Sequence, residues 1–74
     1  MAEYNGYPSW NAWNVSLWIN NNEALYREAV AVVNRVGEAK AARFLARDWE
    51  GMTTPDGGKF NHRAIRLAIR GICD

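Results

Sequence analysis

The sequence predicts an all-α fold: a small compact bundle of about four short helices with an extended N-terminal arm. Two observations carry that prediction. Apolar residues recur near the helical period through residues 25–36 and 65–72, with charged residues on the opposite side. Ser9, Asn22 and Asn61, good N-cap residues, stand just ahead of three candidate helices, and Gly and Pro cluster in residues 51–58. No repeat, low-complexity run or long linker divides the chain, so residues 1–74 read as one domain.

Along the chain, Tyr4-Asn5-Gly6-Tyr7-Pro8 reads as a turn in the arm, and Ser9 caps a first helix. In that helix Trp10, Trp13 and Leu17 share one side, while Val15, Trp18 and Ile19 lie on another. Such an all-round apolar helix is expected either to be surrounded or to show a Trp face to a partner. The stripe through Trp13 is expected to pack on Val30 and Val33 of the second helix, leaving Trp18 beside Asn11 and Asn14, turned outward.

The second helix follows Asn22, with Glu23 in its first turn and Leu25, Tyr26, Ala29, Val30, Val33 and Val36 on one stripe. Gly37 ends it or begins the next element. The run EAKAARFLARDWE has high helical propensity, and its Ala39, Ala42, Leu45, Ala46 and Trp49 form an inward stripe from which Phe44 points away. GMTTPDGG is a surface loop. A hairpin around Pro55-Asp56-Gly57-Gly58 would need flanking strands, and neither flank alternates. Asn61 caps the last helix, which turns Ile65, Ala68, Ile69 and Ile72 inward and Arg63, Arg66 and Arg70 outward.

Composition narrows the function classes. A chain of 74 residues has a thin core, so a homodimer or a larger partner is expected and a deep catalytic cleft is not. Cys73 is the only Cys and His62 the only His, which removes intrachain disulfides, Cys/His zinc sites and His-based triads. Cys73 reads as a small hydrophobe. No catalytic residues, metal or cofactors are assigned. The opening MAEYNGYPSW lacks a basic start and an apolar run, and no apolar stretch suits a bilayer, so the expected location is the cytoplasm, without membrane contact.

The stretches Tyr4-Asn5-Gly6, Trp13-Asn14-Val15, Leu17-Trp18-Ile19-Asn20-Asn21 and Glu23 with Leu25-Tyr26-Arg27 resemble the opening of a family of small uncharacterised proteins from bacteriophages, plasmids and their hosts. The likeness covers residues 4–27. Ala12 and Asn22 depart from the Thr and Asp of the family's pattern. The resemblance implies a mobile-element accessory protein and carries no catalytic residues. Such proteins often inhibit host defence or transcription by stoichiometric binding, a CRISPR effector complex being one such target, which in a phage-encoded case places the protein in the host cytoplasm.

Charge and aromatic content supply the candidate sites. Residues 1–30 carry a net −2 and residues 31–74 a net +3. Lys59, His62, Arg63, Arg66 and Arg70 fall within twelve residues without an acid, and the three arginines at i, i+3 and i+7 project from one helix face. Lys40, Arg43 and Arg47 repeat that spacing, diluted by Glu38 and Glu50. Asp48 and Glu50 lie on different sides of their helix and read as solvated charges, and Asp56 reads as an Asx-turn residue. Six of the nine aromatics stand in the first 26 residues, more than so small a bundle encloses.

The expected activity is therefore non-enzymatic binding to a host protein or ribonucleoprotein complex. Tyr7, Trp10 and Trp18 would serve as apolar anchors and Arg63, Arg66 and Arg70 as the charged ones. The alternative is a small nucleic-acid-binding regulator using Lys59, His62, Arg63, Arg66 and Arg70. An isoelectric point near 7.9 is low for that role.

Overall fold

The computed structural model describes residue 4 and residues 6–73, with the side chain of Cys73 outside that description. Asn5, the turn residue of the arm, also lies outside the described residues, as does the expected role of the Cys73 thiol. Among the described residues four helices form: α1 (Trp10–Asn21), α2 (Glu23–Val36), α3 (Glu38–Asp48) and α4 (His62–Cys73). The all-α bundle predicted from sequence is the fold. No described helix is long and apolar enough to cross a membrane.

Single residues join the first three helices. Asn22 closes α1 by donating its N–H to the Trp18 carbonyl at 3.0 Å, and opens α2 by accepting the Leu25 N–H on its side chain at 3.1 Å. Gly37 both ends α2 and begins α3, though with ψ 164° it does not take the αL conformation expected of a C-cap glycine: its N–H caps α2 on the Val33 carbonyl, and its own carbonyl accepts the first bond of α3 from Ala41. Its φ of +88° lies in the left-handed region, where a Cβ is strained. In the arm, Tyr4 and Tyr7 exchange both backbone hydrogen bonds across a tight turn, and Ser9 caps α1 through the Ala12 N–H.

α4 is the central element, packing most extensively on α1 and then on α3, while α2 lies against α3 and α1. Ala41, Ala42, Ala64 and Ala68 are all buried, and their small side chains let α3 and α4 approach closely. The volume is filled by Val15, Ile19, Leu45, Ile65 and Ile69, each fully buried. Trp49 meets Phe60 edge-on, with centroids 5.6 Å apart and rings at 77°, closing the end of the core under the 51–60 loop.

Three stripes are rotated from their predicted positions. α1 buries Ala12, Val15, Ser16 and Ile19, while Trp10 and Leu17 stay 39% and 36% exposed and Trp13 is half-buried beneath Tyr4, so the stripe expected to meet Val30 and Val33 faces outward. Small residues won the inner face because α4 passes close to it. In α2 the buried residues are Ala29 and Val32, with Tyr26 exposed and Val30 only half-buried. In α3, Ala41 replaces the exposed Ala39 on the inner side and Ala46 is half-buried. α4 matches its prediction, with Ala64 added to the buried face and Ile72 at its margin.

These burials order the first helix's substitutions. Ile19→Ala empties a fully buried site and should cost about 2–5 kcal/mol, a large part of the stability of so small a domain. Trp13→Ala removes a half-buried ring and should cost less. Thermal unfolding followed by circular dichroism tests the order; an equal or greater loss for Trp13→Ala would contradict the assignment of faces.

Candidate functional site

The 51–60 segment sets where α4 begins, and α1 holds that segment. Thr53 and Lys59 form an isolated antiparallel bridge, and Thr54 donates its N–H to the Gly58 carbonyl at 2.8 Å, so a minimal hairpin replaces the predicted plain loop. Its stabilisation comes from α1 rather than from strand length. Asn11 clamps the Lys59 peptide from both sides, its Nδ2 donating to the carbonyl at 3.0 Å and its Oδ1 accepting the N–H at 2.7 Å. Buried Asn14 accepts the Thr54 hydroxyl on Oδ1 and donates Nδ2 to Asp56 Oδ2 at 3.0 Å. Trp18 donates its indole N–H to the same carboxylate oxygen, also at 3.0 Å.

Two expectations change with this network. Asp56 accepts hydrogen bonds from α1 rather than serving as an Asx-turn residue of its own loop, and Trp18 is half-buried and committed to Asp56 rather than turned outward. Hydrogen bonds from Asn14 and then Trp18 hold the Asp56 carboxyl below its ordinary value, with a small opposing effect of desolvation. The α1 residues that hold the hairpin, Asn11 on Lys59 and Asn14 and Trp18 on Asp56, stand at i, i+3 and i+7. That spacing was the available signal: a polar stripe on an otherwise apolar helix needs hydrogen-bond partners.

The hairpin delivers Asn61 as the cap of α4, its Oδ1 accepting the Ala64 N–H at 2.9 Å. With Ala64, Ile65, Ala68 and Ile69 buried, geometry leaves His62, Arg63, Arg66 and Arg70 exposed on the outer side. Together with Leu67 they line a shallow depression of about 400 Å³. Lys59 and Arg63 share the rim of a smaller one, about 150 Å³, where α1 meets α4. Among the described residues the only ion pair is Arg27–Glu23, within α2, so no described carboxylate pairs with the α4 arginines. Lys40, Arg43 and Arg47 form a second outward basic ridge around exposed Phe44.

The six anchors expected from sequence do not make one patch. Arg63, Arg66 and Arg70 belong together. Tyr7 lies beside the end of α4, its hydroxyl 3.9 Å from where a Gly71 Cβ would stand and 2.8 Å from Ser16 Oγ. Trp10 occupies the outward face of α1, and Trp18 faces the hairpin. Asp48 and Glu50 are exposed, as expected. Among the described residues no group of three or more His, Cys, Asp or Glu side chains could hold a metal ion.

The model of a family of unknown function, DUF7249, matches residues 1–74, and the chain belongs to that family. No curated protein and no solved structure matches it.

The network makes two predictions. A Cβ on Gly58 would stand 2.6 Å from Asn14 Oδ1, so Gly58→Ala should cost about 1–3 kcal/mol by chemical denaturation; a neutral result would show that the Asn14 contact yields freely. Because its folded-state value is depressed, Asp56 adds stability that is complete above its unfolded value near 3.8 and lost as pH falls through the lower folded one. Asp56→Asn should therefore remove part of the acid-side slope of stability against pH. An unchanged slope would sink the linkage.

Proposed function

We propose that this member of a family without assigned function is a non-enzymatic binding protein whose α4 face occupies an acidic surface on another protein. One observation carries the reading. Arg63, Arg66 and Arg70 project from one face, and no ion pair or side-chain hydrogen bond ties them to the rest of the described chain. Their guanidiniums contribute little to folding and are available for bidentate pairing with carboxylates. Leu67 lines the same depression and gives the charged contacts an apolar floor.

The resemblance of residues 4–27 to proteins of phages and plasmids supports placing the target in a host, as a defence or regulatory complex that the protein inhibits by occupancy. A CRISPR effector is one such complex. The second reading is a nucleic-acid-binding regulator, favoured by Lys59 joining Arg63 at one rim and by the ridge of Lys40, Arg43 and Arg47. A net charge of +1 weighs against it.

Affinity capture from host extract separates the two. The expected result is a protein partner retained after nuclease treatment, lost with the triple variant Arg63→Glu/Arg66→Glu/Arg70→Glu and kept with Lys40→Glu. Binding to generic duplex DNA at about 50 mM salt, weakening with a log–log salt slope of roughly −0.9 per phosphate neutralised, would overturn this reading in favour of the second.

A further inference from the structure

The chain has a single Asp-Gly step, Asp56-Gly57, and the hairpin holds it at the surface. Both residues are exposed, and Gly57 has no Cβ to shield its backbone nitrogen from the carboxyl of the preceding residue. Those two groups react with each other. The Gly57 nitrogen adds to Asp56 Cγ, a new N–Cγ bond closes a cyclic succinimide, and the Cγ–O bond breaks. The carboxyl oxygen leaves as water, carrying the amide proton. A second water then opens the ring, and attack at the main-chain carbonyl leaves Gly57 joined through Cγ, an isoaspartate. The net change is an isomerisation, without oxidation and with water as the only co-reactant.

In the folded chain both groups are engaged elsewhere. Gly57 donates its N–H to the Thr54 carbonyl at 2.9 Å. Asp56 Oδ2 accepts from Asn14 Nδ2 and from Trp18 Nε1, each at 3.0 Å and both from α1. We propose that Asp56-Gly57 is a site of spontaneous isomerisation whose rate α1 sets through Asn14 and Trp18, its positioning residues. Ring closure consumes the carboxylate that both donors stabilise, so the bonds to α1 are lost on the way to the succinimide. The same bonds favour the ionised carboxyl, whereas the neutral acid is the form that sheds water. The product has a longer backbone between residues 56 and 57, in a turn where a Cβ on Gly58 would already lie 2.6 Å from Asn14 Oδ1. Isoaspartate there displaces the hairpin that starts α4. The fold thus carries a clock that α1 slows, independent of what the α4 face binds.

The test is the isoaspartate content of the full chain during incubation at neutral pH. Peptide mapping in water enriched in heavy oxygen marks residue 56 once the ring has formed and opened there, and deamidation at Asn5-Gly6 falls in a different peptide. The expected result is slow isomerisation in the folded wild type and fast isomerisation of the same chain in strong denaturant. Trp18→Phe keeps a ring and removes the N–H, and should speed the folded chain's reaction about two- to tenfold with helical circular dichroism retained. Ile19→Val loosens the core without touching Asp56 and should leave the rate at the wild-type value. In the wild type the rate should also hold steady through low denaturant. Equal rates in the folded and denatured wild type would overturn the inference, as would a denatured chain that forms no isoaspartate or a Trp18→Phe rate equal to that of the wild type. Acceleration by Ile19→Val matching that by Trp18→Phe, or a wild-type rate rising in step with the unfolded fraction, would make global unfolding the gate and overturn it too.

Discussion

The fold depends on one buried amide. Asn14 lies inside the protein on a helix that otherwise buries apolar or small residues, and it is kept there because both ends of its side chain are matched: the oxygen by the Thr54 hydroxyl, the nitrogen by the Asp56 carboxylate. A buried amide lacking those partners would cost about 1–3 kcal/mol. The hairpin is therefore specified by α1 as much as by its own residues. Thr54 also accepts the Gly58 N–H, which draws Gly58 in until only hydrogen fits beside Asn14. The start of α4, and with it the register of its arginines, follows from this local arrangement.

This coupling explains why a chain with so few large buried side chains holds one arrangement. The core is rich in alanine, which brings helices close but gives little shape to distinguish one rotation from another. Directional hydrogen bonds supply what shape does not. Asn11 and Asn14 fix α1 against the hairpin, Tyr7 reaches Ser16, and Trp49 against Phe60 anchors the opposite flank of the same segment. No buried side-chain nitrogen or oxygen among the described residues lacks a partner.

What was legible in the sequence follows the same division. α4 was read correctly face by face because its isoleucines and arginines separate cleanly, leaving one rotation with an apolar interior. α1 was placed correctly as a helix and rotated incorrectly, since the continuity of the stripe through Trp10, Trp13 and Leu17 set Trp13 against the second helix. Close helix packing favours Ala12 and Ser16, and side-chain volume alone carries no record of how near the neighbour comes. The outward arginines were legible for the reason α4 was. The Asn11–Asn14–Trp18 stripe was visible as spacing, but its partners lie some forty residues away across a turn whose conformation depends on that stripe, so neither half could be read without the other. Asp56 was misread accordingly: in a Gly-rich segment a local turn is the ordinary use of an aspartate.

The pairing of the first helix with the last has a consequence during synthesis. α1 packs mainly on α4, and α4 begins about forty residues after α1 ends. At roughly 5–20 residues per second the ribosome needs about 2–8 s to cover that distance. Throughout that interval Val15 and Ile19 lack their principal cover, Asn14 has no Thr54 or Asp56, and the Trp-rich helix stands uncharged in a crowded solution. The nascent chain thus passes through a stage at which its stickiest segment is complete and its cover does not yet exist. A chaperone that engages exposed aromatic segments would meet this protein then, before the fold that hides half of α1 can close.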